Sequence, residues 1–344
     1  MGILREEHGG LYVTEKSGRG DGVNRQALAA AGLCVVITAW ALLNLFVEGM
    51  GFPVIDSEKV RGGEEAASAL ARLFGALVLG LFLTEDTGHR IRWVAGGLVV
   101  LGTAHLVFGY LEPLIQDDPP ELNEALYEGF VATTFACALF ALGLFPVTPP
   151  RLLVRAMTIL PAALVGGYLV VFELLDGEAW MPPLARVDSP QRALELSSSF
   201  AWLTPWHWVL WTLPLGLALV ALLGAFWQSS RGRLRGWLLF AMVLMAGSLL
   251  HEYLWPSSYG SNVVTTADLL SLSFAGVVAL GGILELRRVA AQRASLLANE
   301  RERVRRLGEL ATLRADFSAH GSELTLETTP GDGSVFGLAL EVTP

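Results

Sequence analysis

The chain has 344 residues, 53% of them hydrophobic and only 17% charged, with a net charge of −9. A soluble domain carries about 25% charged residues, so this composition excludes an ordinary water-soluble globule and calls for lipid. The two cysteines, Cys34 and Cys137, both sit in apolar runs, which excludes a disulfide scaffold and a paired-thiol metal motif.

Residues 1–24 form a polar leader, expected to be disordered. Its stretch His8–Gly22 has a His-Gly-Gly…Gly-x-Gly cast. The apolar run that follows is too long for the core of a signal peptide and no good cleavage site follows it, so it reads as a retained first span. A spanning helix needs about 20 mostly apolar residues. Eight candidates occur: Ala27–Val47, Ala66–Thr84, Ile91–Glu112, Ala125–Phe145, Leu153–Leu175, His207–Gln228, Leu234–Leu254 and Val263–Glu285. Arg72 interrupts the second, and Pro161 and Pro214 fall inside the fifth and sixth, where a membrane helix tolerates them as kinks. The glycine pairs Gly96–Gly97, Gly166–Gly167 and Gly281–Gly282 read as close helix contacts.

Orientation follows from the arginines in the loops. One set of connections carries Arg25, Arg90, Arg92, Arg151, Arg155, Arg231, Arg233, Arg235, Arg287 and Arg288. The alternate set is acidic: Glu48, Asp56, Glu58, Glu64 and Glu65, then Asp117, Asp118 and Glu121, then Asp176, Glu178, Asp188 and Glu195. The alternation predicts a multi-pass protein of a bacterial-type inner membrane, with both termini cytoplasmic and the acidic loops outside. Trp180, Trp202, Trp206, Trp208, Trp211 and Trp255 gather near the outer ends, as an interfacial belt would.

Polar groups inside spans are costly and are functional candidates by default. Under this orientation His105, Glu112, His207, His251, Glu252 and Asp268 all fall in the outer leaflet and form a candidate ligand or sensor set. Glu48 and Glu173 end spans on the same side. His105, His207 and His251 with a carboxylate would suit Zn²⁺ or Cu²⁺, and histidine also suits pH sensing. The alternative is that each imidazole bonds a backbone carbonyl and the acids face water. No His-x-x-x-His or Cys-x-x-Cys spacing supports a metal, so no firm metal site and no cofactor are expected.

No proline interrupts Val263–Ala319, so the eighth span can continue as one helix. Past Glu285 the composition turns to Arg, Glu, Ala and Leu, with apolar residues at Val289, Leu296, Leu297, Val304, Leu307, Leu310, Leu313 and Phe317. This near-heptad spacing, with a slip around Leu307–Leu310, predicts a short coiled coil over 286–319 and a homodimer through 286–317. Residues 286–317 would reach about 48 Å at 1.5 Å per residue. Two short strands around a Pro-Gly-Asp-Gly turn close the sequence at 320–344. The predicted fold is an all-α polytopic membrane protein. It has an eight-helix bundle over 25–285, a cytoplasmic helix and a short β-hairpin.

The run "LRADFSAH" resembles the approach to the phosphoacceptor box of membrane sensor histidine kinases, matching it at Arg314, Ala315, Asp316, Phe317 and Ala319. The run "HGSELTLETTPGDGSVFGLALEV" is similar to the last two strands of that family's ATP-binding domain, at His320, Gly321, Glu327, Pro330, Gly331, Gly333, Ser334 and Phe336. By this resemblance the chain is a sensor kinase without its catalytic middle. An intact member would bind ATP and Mg²⁺ and address a response regulator. His320 lies three positions too early to be the phosphoacceptor. The magnesium-holding asparagine, the Asp-x-Gly-x-Gly adenine pocket and the glycine-rich lid are missing. Phosphoryl transfer needs metal, phosphate cradle and nucleophile together. Gly331 and Gly333 are a turn signal, not a phosphate loop, so no catalytic residue is assigned and no kinase activity is expected.

The sequence therefore predicts the input portion of a two-component sensor, embedded in membrane lipid and without a nucleic-acid partner. The alternative is a transporter or intramembrane enzyme with a polar site in the outer leaflet. No inverted repeat between the halves supports it.

Overall fold

The computed structural model describes residues 17–46, 55–81, 88–115, 122–145, 182–188, 192, 202–231, 235–255, 263–319, 323–329 and 333–339. The elements in order are α1 (Ser17–Phe46), β1 (Ile55–Asp56), α2 (Glu58–Leu81), α3 (Gly88–Ala104), a π-helical segment (His105–Leu111), α4 (Glu112–Ile115), α5 (Leu122–Leu144), α6 (Pro205–Ser230), α7 (Gly236–Leu254), β2 (Val263–Val264), α8 (Thr266–Ala319), β3 (Glu323–Thr329) and β4 (Gly333–Ala339). The fifth predicted span, Leu153–Leu175, lies outside the described residues, as do residues 1–16, Pro161, Gly166–Gly167 and Trp180. So do the acidic positions Glu48, Asp117, Asp118, Glu121, Glu173, Asp176, Glu178 and Glu195.

Among the described residues six helices are long and apolar enough to cross a membrane: α1, α3 with its π segment, α5, α6, α7 and α8. This is the make-up of a multi-pass membrane protein. Of the eight predicted spans, the second is the one that coincides with a helix, α2, yet falls outside those six.

The reason is visible in α2 itself. Its buried face carries Arg61, Glu64, Glu65, Ser68 and Arg72. Steps of three and four residues set these on one stripe of a helix. Its outward positions are apolar: Leu70 is 64% exposed and Leu77 60%. A helix of a water-soluble protein turns its apolar stripe inward. The reverse arrangement suits a helix that meets lipid on one side and a polar interior on the other.

The chain divides into two compact units, Met1–Ile283 and Leu284–Pro344. In the first, the core holds Trp93, Leu98, Phe140, Phe274 and Val278, each almost completely buried. Phe140 of α5 meets Phe274 of α8 edge to face, with centroids 6.2 Å apart. A Cβ on Gly97 would stand 2.6 Å from the Phe140 ring, so α3 approaches α5 only because that position has no side chain. β1 and β2 pair antiparallel, Ile55 opposite Val264 and Asp56 opposite Val263. That short pairing holds the N-termini of α2 and α8 together.

At the start of α5 the segment 182–188 is tied down by side chains. Asn123 Oδ1 accepts from the Leu184 and Ala185 amides at 2.8 and 2.7 Å. Tyr127 donates to the Pro182 carbonyl at 2.6 Å, and Thr204 donates to that of Pro183 at 2.6 Å. Trp202 and Leu203 pack there with Leu122 and Leu126. The predicted aromatic belt is only partly realised. Trp206 is half exposed, but Trp202 and Trp211 are buried, Trp202 against Leu122 and Leu126 and Trp211 against the Phe130 ring, 6.3 Å between centroids. Pro214 lies inside α6, which runs through it from Pro205 to Ser230.

In the second unit the helical residues are exposed and charged. Glu302 bonds Arg305 and Arg306 at 2.9–3.0 Å, and Arg305 pairs with Glu309 at 3.2 Å. Leu296, Leu297, Val304, Leu307 and Leu313 are also exposed. β3 and β4 pair antiparallel from Glu323 opposite Ala339 to Thr329 opposite Gly333.

Candidate functional site

The polar stripe of α2 meets two other helices in an ionic cluster. Arg61, the fourth residue of α2, reaches across to the first turn of α8, where its Nη1 lies 2.7 Å from Asp268 Oδ2. On its own helix its Nη2 lies 2.5 Å from Glu65 Oε1 and its Nη1 3.6 Å from Glu64 Oε2. Ser68 donates to Glu64 Oε1 at 2.9 Å. Asp268 also caps its helix. Its carboxylate accepts from the Thr265 amide at 2.7 Å and the Thr265 hydroxyl at 2.8 Å. The Asp268 amide donates back to that hydroxyl at 3.3 Å. This reciprocal arrangement places a carboxylate at the positive end of the helix dipole.

The other oxygen of Glu65 is in contact with His105 Nδ1. His105 opens the π-helical segment, whose wider turn is marked by the Glu112 amide bonding the Val107 carbonyl five residues back. Such segments inside α-helices often occur at functional sites. Four residues on, Gly109 faces the same carboxylate: a Cβ there would stand 2.5 Å from Glu65 Oε2. The helix thus offers an imidazole and an empty notch side by side, and Glu65, 0% exposed, occupies the notch.

Two turns beyond Glu65, Arg72 donates to the Ser271 hydroxyl on α8. Its guanidinium lies 5.7 Å from the Phe274 ring centroid. Arg61, Arg72, His105, Asp268 and Ser271, with Glu252 of α7 and Trp211 of α6, line a cavity of about 70 Å³. A water needs about 10–15 Å³ of such volume, so several waters or one small polar solute fit. Among the described residues the buried Trp211 indole nitrogen has no hydrogen-bond partner.

Three of the six predicted site residues therefore come together: His105 and Asp268 in the cluster, and Glu252 on the cavity wall. The other three do not. His207 packs between Trp208 and Trp211, with centroids 5.3 and 5.7 Å away, and among the described residues neither of its ring nitrogens has a hydrogen-bond partner. His251 lies beside Trp255 and is directed at the Ile37 carbonyl of α1. Glu112 follows the π segment, half buried and off the cavity lining. Among the described residues no group of three His, Cys, Asp or Glu side chains is placed to hold a metal ion, His105, His207 and His251 included. Shared depth along different helices does not set shared azimuth.

A second correction concerns Glu64 and Glu65. They were expected in an outward-facing acidic loop. They lie within α2 and are buried, because Arg61 and His105 supply partners that make burial tolerable. Arg61, Glu64, Glu65, Arg72 and Ser271 are the site residues that sequence reasoning missed. The signal was present: Arg61 stands three and four residues before Glu64 and Glu65, and Arg72, inside the apolar run, stands four residues after Ser68 and seven after Glu65.

Comparison with known proteins finds no matching family, no matching curated protein and no matching solved structure.

Proposed function

We propose that this chain is the membrane-integral input portion of a sensor histidine kinase. In this reading it sits in a bacterial-type inner membrane with both ends cytoplasmic. Its polar cavity receives the stimulus, and α8 passes the response to a dimeric coil formed by 286–317. The observation that carries the reading is the Arg61–Asp268 pair: the buried ionic cluster touches the capping carboxylate of the same helix that continues to Ala319. A change in the charge of the cluster is therefore felt at the start of that helix. The sequence likeness of Arg314–Ala319 and of 320–336 to the kinase family supports the class of output. The missing phosphoacceptor and nucleotide motifs leave this chain without phosphoryl transfer, so a response regulator would be addressed only by an intact relative.

The test uses the full chain in lipid nanodiscs, with Cys34 and Cys137 replaced and a nitroxide at Leu296→Cys. The distance between labels in two copies should exist as a defined value and should change in Asp268→Asn. No inter-copy distance, or an unchanged one, would defeat the reading. Incubation with labelled ATP should leave no acid-labile label on the protein.

A second reading, a transporter or intramembrane enzyme, is favoured by one observation: the charged side chains Glu65 and Arg72 are buried inside the protein. Solute uptake by proteoliposomes that requires His105 or Asp268 would select it.

A further inference from the structure

The cavity of about 70 Å³ lies at one end of the first unit. Its walls come from the opening turns of α6 and α8, the first half of α5, the polar stripe of α2, and the closing parts of α3 and α7. Two wall residues carry donors that the protein leaves without acceptors. Arg61 turns Nη1 to Asp268 and Glu64 and Nη2 to Glu65, yet its buried Nε has no hydrogen-bond partner among the described residues. On α6 the buried Trp211 indole N–H has none either. Arg61 is 5% exposed and Trp211 4%, so surface water does not serve them. Native proteins seldom leave a buried donor unmet, because its desolvation is then uncompensated. Two such donors beside one cavity call for an occupant with acceptor oxygens.

The same walls narrow the chemistry. Guanidiniums stand on them from α2, and carboxylates from α7 and α8, Glu252 and Asp268. A simple anion drawn to Arg61 would sit close to those carboxylates, and a simple cation close to the guanidiniums. Like charges repel strongly where water is scarce. A zwitterion avoids both conflicts by giving each end its opposite sign. Size narrows it further: at about 10–15 Å³ per water the space takes about five to seven water-sized groups. We infer that the cavity binds a small zwitterionic amino acid of the size of glycine or alanine. Its carboxylate accepts from the Arg61 Nε–H and the Trp211 indole N–H, and its ammonium donates to Glu252. The inference rests on the sensor reading and deepens it by naming the class of stimulus. Arg61 then holds the ligand and Asp268 at once, so a bound carboxylate competes with the α8 cap for one guanidinium.

The experiment titrates glycine and alanine into the full chain in nanodiscs, with ¹⁵N-labelled tryptophan. Trp211→Phe identifies the Trp211 indole signal among the ten tryptophans. Millimolar glycine or alanine should move that indole proton downfield and saturate. Acetate, methylammonium and glycerol at the same concentration should leave it in place, as should leucine, which is too large. Glu252→Gln should weaken glycine binding by about tenfold or more, as loss of a charged hydrogen-bond acceptor does. Should that variant not fold, the contrast of glycine with acetate and methylammonium on the wild type carries the test. No saturable shift with either amino acid, or a shift from acetate or glycerol equal to that from glycine, would overturn the inference. If glycine binds while nitroxides at Leu296→Cys keep their distance, the site stands and the sensor reading falls. If glycine does not bind while Asp268→Asn still moves those labels, the sensor reading stands and this inference falls.

Discussion

Arg61 Nη1 and Asp268 Oδ2 lie 2.7 Å apart, joining the fourth residue of α2 to the third residue of α8. The two helices begin immediately after β1 and β2, which pair Ile55 with Val264. A two-residue ladder and an ion pair thus fasten the same junction, one through backbone and one through charge. The backbone pairing sets the register, and the ion pair makes the junction responsive to what surrounds Arg61.

Removing the guanidinium should be the most damaging single change in the cluster. Arg61→Leu leaves Glu64, Glu65 and Asp268 buried without their shared cation, and breaking a buried pair in this way costs about 3–5 kcal/mol. Asp268→Asn should cost less, because the amide oxygen still accepts from Thr265. Reversible unfolding in mixed micelles should rank Arg61→Leu well below Asp268→Asn. The Arg61→Leu/Asp268→Asn double variant should be less damaged than the two losses summed, as expected for residues in contact. Strict additivity would mean that the two charges do not sense each other.

The notch at Gly109 makes a second, sharper case. Gly109→Ala puts a methyl group 2.5 Å from Glu65 Oε2. The neighbour is a carboxylate held on both sides, so it cannot swing away freely, and overpacking of this kind costs about 1–3 kcal/mol. Gly216→Ala in α6 meets nothing within 4 Å and should be neutral or stabilising by about 0.5–1 kcal/mol, the usual gain of alanine over glycine in a helix. Thermal melts of the two variants side by side check the contrast. Equal behaviour would mean that the carboxylate is not confined.

The helical, lipid-embedded character of this chain was legible from runs such as Leu234–Leu254, because about twenty apolar residues leave few alternatives. His105 and Asp268 were also legible, as ionisable groups inside such runs. What sequence could not supply was azimuth. His207 and His251 share their depth with His105, yet His207 packs against Trp208 and Trp211 and His251 lies beside Trp255. Glu64 and Glu65 read as loop acids because two charges beside Arg61 look solvated. Only the placement of His105 and Asp268 against them shows that they are buried partners. The helix over 286–319 was legible from its lack of proline, whereas whether its exposed leucines meet a second copy depends on a chain beyond this one.

Glu302, outside the membrane-spanning segments, gives a pH dependence with a definite sign. Hydrogen bonds from Arg305 and then Arg306 hold its carboxylate below the usual range. A depressed value means that the contribution is present above the unfolded value and is lost as the pH falls through the folded one. Acidification from neutrality should therefore loosen the helix around 298–309. Hydrogen exchange there, corrected for its intrinsic pH dependence, should rise on acidification in the wild type and change less in Glu302→Gln. The carboxylate lies at the helix surface, so high salt should shrink the effect. An identical acid response in Glu302→Gln would show that these bonds do not hold the helix.

The inverted character of α2 can be tested directly. Leu70 and Leu77 are 64% and 60% exposed, while Ser68, Ala69 and Arg72 behind them are buried. If α2 lies in the bilayer, its outward leucines touch acyl chains and its inward arginine touches protein. A bimane label at Leu70→Cys or Leu77→Cys, in the background lacking Cys34 and Cys137, should be quenched by brominated lipid and shielded from aqueous iodide. The exposed Leu296→Cys should show the opposite pattern. The physical basis is the burial of Arg61, Glu64, Glu65 and Arg72 together. In water those four side chains would turn outward and the leucines inward. They can remain inside only if the surrounding medium is less polar than the bundle's own interior. Iodide quenching at both leucines without lipid quenching would place α2 in water and remove the reason for its polar core.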